Sequence, residues 1–513
     1  MTQQDESNII KRLVFSGGGA RGVVYSGAYA AMDETGVIQD VEAVAGSSAG
    51  AITAAFLAVG LSPKNFQSIL KQTNFSQLLG EKIKGAYITK NAEPLHQFLI
   101  ENLNKPIIDF LEQQNTLDTT CLTILNNLKN HKTSITFNEL HTLRGKYPNN
   151  NRFKDLTVTA VKENDGNLTF FNHKTTPNLE IARACKASGA IPVILEPVII
   201  DNIKYVDGGV SDNIPVSAFE HNDMPKSNTN NISETLLFAF VEGNPTEQNK
   251  TWSQRVWTFI FCNHAVYNAL YGKRPDPDKP KTKLFTPHAW ESFWRNYLSK
   301  WLSSLKTDYK ITDKKDEGFQ RIRDDYTLRT VGLGVNDLLS SKFNQGTRTA
   351  RFMSVRGYLD TMDMIFNHDL HHVETGKTHD QYPHEFYAEI IMNFICIYKA
   401  TLIASAKQPS QDAFLKKISS NEHSLLSTYY LISDTAYRDA NSKQAFALTR
   451  AVEYRKKEIS LHDLEQEIKT RGHAYHKRWF SLFRKKPLEP EINLDLDTLV
   501  THKPTIQGTM FGE

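Results

Sequence analysis

Ser48 lies in the stretch Gly46-Ser47-Ser48-Ala49-Gly50, and Asp207 opens the stretch Asp207-Gly208-Gly209. A serine hydroxyl and a carboxylate are a nucleophile and a base, the pair that cleaves esters through a covalent acyl intermediate. A third stretch, Ser16-Gly17-Gly18-Gly19-Ala20-Arg21-Gly22, bares backbone N–H groups that side chains would otherwise crowd. Such a loop can hold a phosphate or the oxyanion of a tetrahedral intermediate. Taken singly, each signal is weak. G-x-S-x-G recurs in unrelated chains, and Asp-Gly is most often a plain turn.

The surrounding residues give these signals a context. Val41 to Ala45 is short and Val-rich and predicts a buried strand, while Ala51 to Val59 has helical length and ends at Gly60. Strand, G-x-S-x-G, helix is the setting of a nucleophile elbow. Gly46 and Gly50 then leave room for a tight turn, and Ser48 sits at a helix N-terminus that favours developing negative charge. Leu13-Val14-Phe15 predicts a strand that runs into the triple glycine, with a helix from about Val23 to Thr35 after it. Val198-Ile199-Ile200 and Lys204-Tyr205-Val206 predict a hairpin that delivers Asp207 to a strand end.

Two other chemistries compete. Gly17, Gly19 and Gly22 fit the dinucleotide fingerprint G-x-G-x-x-G, with Asp40 or Glu42 as the ribose acid. That fold needs no nucleophile at the end of its second strand, where this chain has Ser48. A triad in the order Ser48, Asp207, His264 is also available, although His264 lies in no motif. His368, His371, His372, Glu374 and His379 could serve as metal ligands, but they lie at the ragged end of a helix and no metal is expected there.

The three blocks Gly17-Gly18-Gly19-Ala20-Arg21-Gly22, Gly46-Ser47-Ser48-Ala49-Gly50 and Asp207-Gly208-Gly209 together resemble the patatin-like phospholipase family, in that family's order. Ala184 to Pro192 is similar to the segment preceding the family's aspartate, and Thr136-Phe137-Asn138-Glu139-Leu140 to its motif before the central strand. Cys185-Lys186 departs from the small residues usual there. The resemblance implies a three-layer α/β/α sandwich and an acyl hydrolase acting on glycerophospholipid esters. Ser48 becomes the nucleophile and Asp207 the base, with the oxyanion held by Gly17, Gly18, Gly19, Arg21 and Gly22. No metal or cofactor is implied for the chemistry. Family members with added helical regions resemble toxins injected into host cells, which implies a host protein as activator.

Composition bounds the rest. The chain has 513 residues, 40% hydrophobic and 23% charged, with a net charge of +3, which gives no argument for nucleic acid. Cys121, Cys185, Cys262 and Cys396 show no C-x-x-C spacing, so a reducing compartment is expected. Met1 to Asn8 is polar and predicts no secretory signal peptide. Ala388 to Ala406 is apolar but broken by Glu389, Asn393 and Lys399, and predicts a buried helix in a soluble protein.

The expected domains are a hydrolase domain over 10–365, with a helical insertion at about 250–320, helices over 366–487 and an extended tail over 488–513. Phe293, Trp294, Tyr297, Leu298, Trp301, Leu302 and Leu305 share a helix face, a pattern that suits a lid, a contact with a phospholipid surface or plain core packing. Tyr475, Trp479, Phe480 and Phe483 interleave with Arg471, Lys477, Arg478 and Arg484 and suit either an anionic membrane or a solvated helix. The reading from another class is a targeting protein whose C-terminal helices bind a protein or membrane beside a vestigial hydrolase domain.

Overall fold

The structure is a computed structural model that describes residues 9–73, 75–80, 90–130, 133–192, 194–219, 234–241, 329–335, 347–371, 381–420 and 423–480. The expected aromatic helix at 293–305, the insertion around it, His264, His372, Glu374, His379 and the tail lie outside these residues, and over 472–480 only the helical backbone is described. Two compact units divide the chain: residues 1–345 with 357–371, and residues 346–356 with 372–513.

The first unit is built on an eight-stranded mixed sheet. Its strands are β1 (Arg12–Phe15), β2 (Ala43–Ser47), β3 (Asp155–Lys162), β4 (Leu168–Phe171), β5 (Val198–Ile200), β6 (Ile203–Asp207), β7 (Thr235–Val241) and β8 (Thr330–Gly334). The spatial order is β5-β6-β3-β2-β1-β7-β8, with β4 paired to β3. β3, β2, β1, β7 and β8 run parallel, whereas β4 and β6 are antiparallel to β3. Leu13, Val14, Phe15, Leu236, Leu237 and Phe238 are consecutive apolar residues buried without alternation. That pattern marks strands covered on both faces, as the expected α/β/α layering requires.

The helices of this unit are α1 (Tyr25–Glu34), α2 (Ala49–Ala58), α3 (Pro63–Gln72), α4 (Phe75–Leu78), α5 (Glu93–Glu112), α6 (Thr119–Asn130), α7 (Phe137–Lys146) and α8 (Ile181–Ser188). Their starts follow from capping chemistry. Ser62 Oγ accepts the Asn65 N–H at 3.3 Å, with Pro63 at the first helical position. Thr136 and Glu139 form a capping box, which gives the short motif at 136–140 a structural meaning as a helix start. The predicted helix over Val23 to Thr35 begins differently: a 3₁₀ turn, Gly19–Val24, precedes α1.

In the second unit the helix Gln381–Ala404 is long and apolar enough, by length and composition, to cross a membrane, yet more than half of its apolar stretch is buried. Phe386, Tyr387, Ile390, Phe394, Ile397 and Tyr398 supply that buried surface, as expected of a core helix. Glu453, almost fully buried, accepts from Arg351 Nε and Nη2 at 2.7 and 2.6 Å and from Arg450 Nη1 at 2.6 Å. Both arginines also reach Glu467. Removing the central carboxylate strands buried guanidinium charge. Glu453→Ala is therefore expected to destabilise this unit by about 3–5 kcal/mol, read as a lowered denaturation midpoint.

Candidate active site

Register brings two of the motifs together. Phe15 pairs with Gly46 across β1 and β2, so the residues that follow, Gly17 and Ser48, leave the sheet side by side. A Cβ on Gly17 would stand 3.1 Å from Ser48 Cβ. Ser48 has φ 53° and ψ −122°, the strained turn of an elbow, and caps the start of α2. Gly46 and Gly50 permit this turn by close packing: a Cβ on Gly46 would lie 2.3 Å from the Gly50 carbonyl, and one on Gly50 2.2 Å from Phe15 O.

Asp207 arrives from the other side of β3. Thr159 pairs with Ser47 and the next residue, Ala160, pairs with Asp207. The chain then turns at Gly208, where a Cβ would meet Thr159 O at 2.5 Å and Ser47 Oγ at 2.8 Å. The predicted hairpin of β5 and β6 is thus what carries the carboxylate to the elbow. Ser48 Oγ donates to Asp207 Oδ2 at 2.6 Å, and the Gly209 N–H donates to Asp207 Oδ1 at 2.7 Å. Ser48 and Asp207 are only 6% and 5% exposed. Burial raises the Asp207 pKa from 3.8 to about 6, against the lowering effect of its hydrogen bonds from Ser48 and Gly209.

The glycine loop resolves into distinct parts. The Gly17 N–H is taken by Asn213 O at 3.0 Å and so is not available to an anion. Among the described residues, the N–H groups of Gly18 and Gly19 have no acceptor, as befits the start of a 3₁₀ turn. A Cβ on Gly18 would run into the Phe240 ring at 2.1 Å. Gly19 adopts φ 56°, the left-handed turn that starts the 3₁₀ segment and that glycine accepts without a Cβ clash. Arg21 and Gly22 lie within that segment, and Gly22 packs near Ala49. Tyr25, fully buried, donates to Ser16 O at 2.6 Å and anchors the strand end below the loop.

Ser188 and Asn213 were not legible as site residues. Ser188 Oγ accepts the Ser48 N–H at 2.8 Å, and two residues later Ala190 O accepts the Asp207 N–H at 2.9 Å. The segment Ser188-Gly189-Ala190 therefore ties Ser48 and Asp207 to one short brace. Cys185 and Lys186, the departure from the family pattern, sit just before it. Cys185 is buried with Sγ 3.7 Å from Ala51 O, and Lys186 pairs with Glu93 at 3.0 Å.

A second polar cluster lies at the start of β3. His141 Nδ1 is 2.7 Å and His173 Nδ1 3.8 Å from Asp155 Oδ1, while Arg144 pairs with the other carboxylate oxygen. The imidazoles stack 3.9 Å apart with planes 6° from parallel. Lone pairs lie in the ring planes, so these two do not converge on one ion in this arrangement.

An elbow serine, a glycine loop and a hydrogen-bonded carboxylate on one mixed sheet have the architecture of a hydrolase. A family model described as patatin-like phospholipase matches residues 13–220. "Probable lipid hydrolase 463L" of Invertebrate iridescent virus 6 is 32% identical over 238 residues, covering 46% of this chain and 72% of that protein. An uncharacterized protein of Acanthamoeba polyphaga mimivirus, R571, is 26% identical over 219 residues, covering 42% of this chain and 64% of that one. Among solved structures, VipD from Legionella pneumophila aligns over 93% of both chains with a TM-score of 0.46 and 17% identity. Full-length ExoU of the Pseudomonas aeruginosa type III secretion system, in complex with SpcU, aligns over 90% of both with a TM-score of 0.36 and 18% identity. The chain belongs to the patatin-like phospholipase family, and lipid hydrolysis is its general chemistry.

Proposed function

We propose that this chain is a lipid acyl hydrolase of the phospholipase A type, cleaving fatty acyl esters of glycerophospholipids through Ser48 and Asp207. The observation that carries the proposal is the 2.6 Å hydrogen bond from Ser48 Oγ to a buried carboxylate oxygen. Asp207 takes the proton as Ser48 Oγ attacks the acyl carbonyl, and the lysolipid alcohol leaves with that proton. Water then attacks the acyl-enzyme, with Asp207 again as base. The N–H groups of Gly18 and Gly19, at the loop beside Ser48 and without an acceptor among the described residues, are the donors for the oxyanion. No metal or cofactor takes part in these steps.

The test is fatty acid release from mixed phospholipid vesicles by wild type and Ser48→Ala, with and without eukaryotic cell extract. Release by wild type alone supports the reading. Dependence on extract supports the host activator and, with it, delivery into a host cell and peripheral action on membranes. A cellular effect that survives Ser48→Ala favours a targeting protein with a vestigial hydrolase domain.

The proposed base also sets a pH dependence. Asp207 must be ionised to accept the proton, and its pKa stands near 6, so activity rises with pH through about 6 and is lost below it. The ascending limb of kcat/KM on a soluble ester checks this. A limb near 4 would mean that burial does not raise the carboxylate, and the absence of any ascending limb that the carboxylate does not control the rate.

A further inference from the structure

One residue holds the peptide from which the glycine loop departs. Asn213 accepts the Gly17 N–H on its backbone oxygen at 3.0 Å and donates from Nδ2 to the Gly17 carbonyl at 3.1 Å. Its Oδ1 lies 2.5 Å from the point that a Cβ on Gly17 would occupy and 2.7 Å from the corresponding point on Gly209. Asp207 Oδ1 lies 3.1 Å from that same point on Gly209. The Asn213 amide therefore fills the space between the glycine loop and the Asp207 turn, touching both.

Three successive glycines have soft torsions, and nothing in their own side chains fixes where their N–H groups point. Oxyanion stabilisation requires those donors to be preorganised against the position where charge develops. We propose that Asn213 is a positioning residue that sets the Gly18 and Gly19 N–H groups relative to Ser48 and Asp207. This rests on the reading of Ser48 as nucleophile and Asp207 as base. The amide suits the place because it donates to the Gly17 carbonyl and carries no charge. An aspartate there is nearly isosteric, but it loses the donor and sets a second carboxylate beside Asp207.

The experiment uses the full chain as wild type, Asn213→Ala, Asn213→Asp and Ser48→Ala. It reads the rate of Ser48 labelling by a fluorophosphonate, which needs no lipid substrate, and the pH profile of short-chain ester hydrolysis. Asn213→Ala is expected to lower the labelling rate and kcat by about 100-fold, with KM nearly unchanged. Asn213→Asp is expected to add an upward shift of the ascending pH limb by about one unit, as a like charge raises a neighbouring carboxylate. A purely structural role would lower the active fraction and leave kcat per labelled enzyme in Asn213→Ala at the wild-type value, which would overturn the proposal. If wild type is labelled and Asn213→Ala keeps pace with it, this inference alone fails. If wild type is not labelled at Ser48, the reading of the nucleophile fails and this inference falls with it.

Discussion

Ser48→Ala is expected to lower kcat/KM for ester hydrolysis by about four orders of magnitude, and Asp207→Asn by nearly as much. In the proposed mechanism the two residues act as one device. Ser48 Oγ and Asp207 Oδ2 share a single hydrogen bond, with no histidine between them. Without the carboxylate, no other group among the described residues stands at that hydrogen bond to take the proton; without the hydroxyl, the carboxylate has nothing to activate. The double variant should therefore be little worse than either single one, as for residues that act as a unit. Fatty acid release and far-UV circular dichroism on all three variants check this. Independent, multiplying losses would show that Ser48 and Asp207 act separately.

The second large effect is on stability. Gly50→Ala is expected to abolish the native fold of the first unit, at a cost of more than about 4 kcal/mol. The added Cβ would lie 2.2 Å from Phe15 O, 2.6 Å from Phe15 C and 2.6 Å from Ser16 O. All three are backbone atoms at the end of a central strand, which cannot swing aside as a flexible side chain could. Gly145→Ala is the matched control, because a Cβ there meets nothing within 4 Å and the residue lies in α7. That change should instead stabilise by up to about 1 kcal/mol through helix propensity. Thermal denaturation of the two variants should move in opposite directions; a soluble, cooperative Gly50→Ala protein would contradict the packing described.

The parts of the site legible in sequence are those with a local signature. The elbow is announced by a Val-rich strand, two glycines and an Ala-rich helix, all contiguous from Val41 to Val59. The hairpin before Asp207 is equally local. What stayed hidden depends on register across the sheet. Ser188 reaches the Ser48 N–H from a residue 140 positions away, and Asn213 reaches Gly17 across 196. Ser188 lies inside the segment Ala184 to Pro192 that the family resemblance marks, but its own role has no local sign, and nothing near Asn213 marks that residue. The 3₁₀ start before α1 was hidden for a different reason: it depends on the left-handed Gly19, and a glycine run by itself predicts only a turn. The ion-pair cluster of Arg351, Arg450 and Glu467 around the buried Glu453 was likewise invisible, because charged residues on helices normally face solvent.

The left-handed backbone at Ser48 bears on what selection must maintain. A serine at φ 53° stores roughly 1–3 kcal/mol that a glycine there would release. Exchange for glycine would also take from the buried Asp207 Oδ2 its Ser48 donor, at a cost of about 1–3 kcal/mol. Strain and hydrogen bond are therefore opposing contributions of similar size at residue 48. The torsion is held by a bond that spans 159 positions of the chain, so relaxing residue 48 requires a matching change at Asp207.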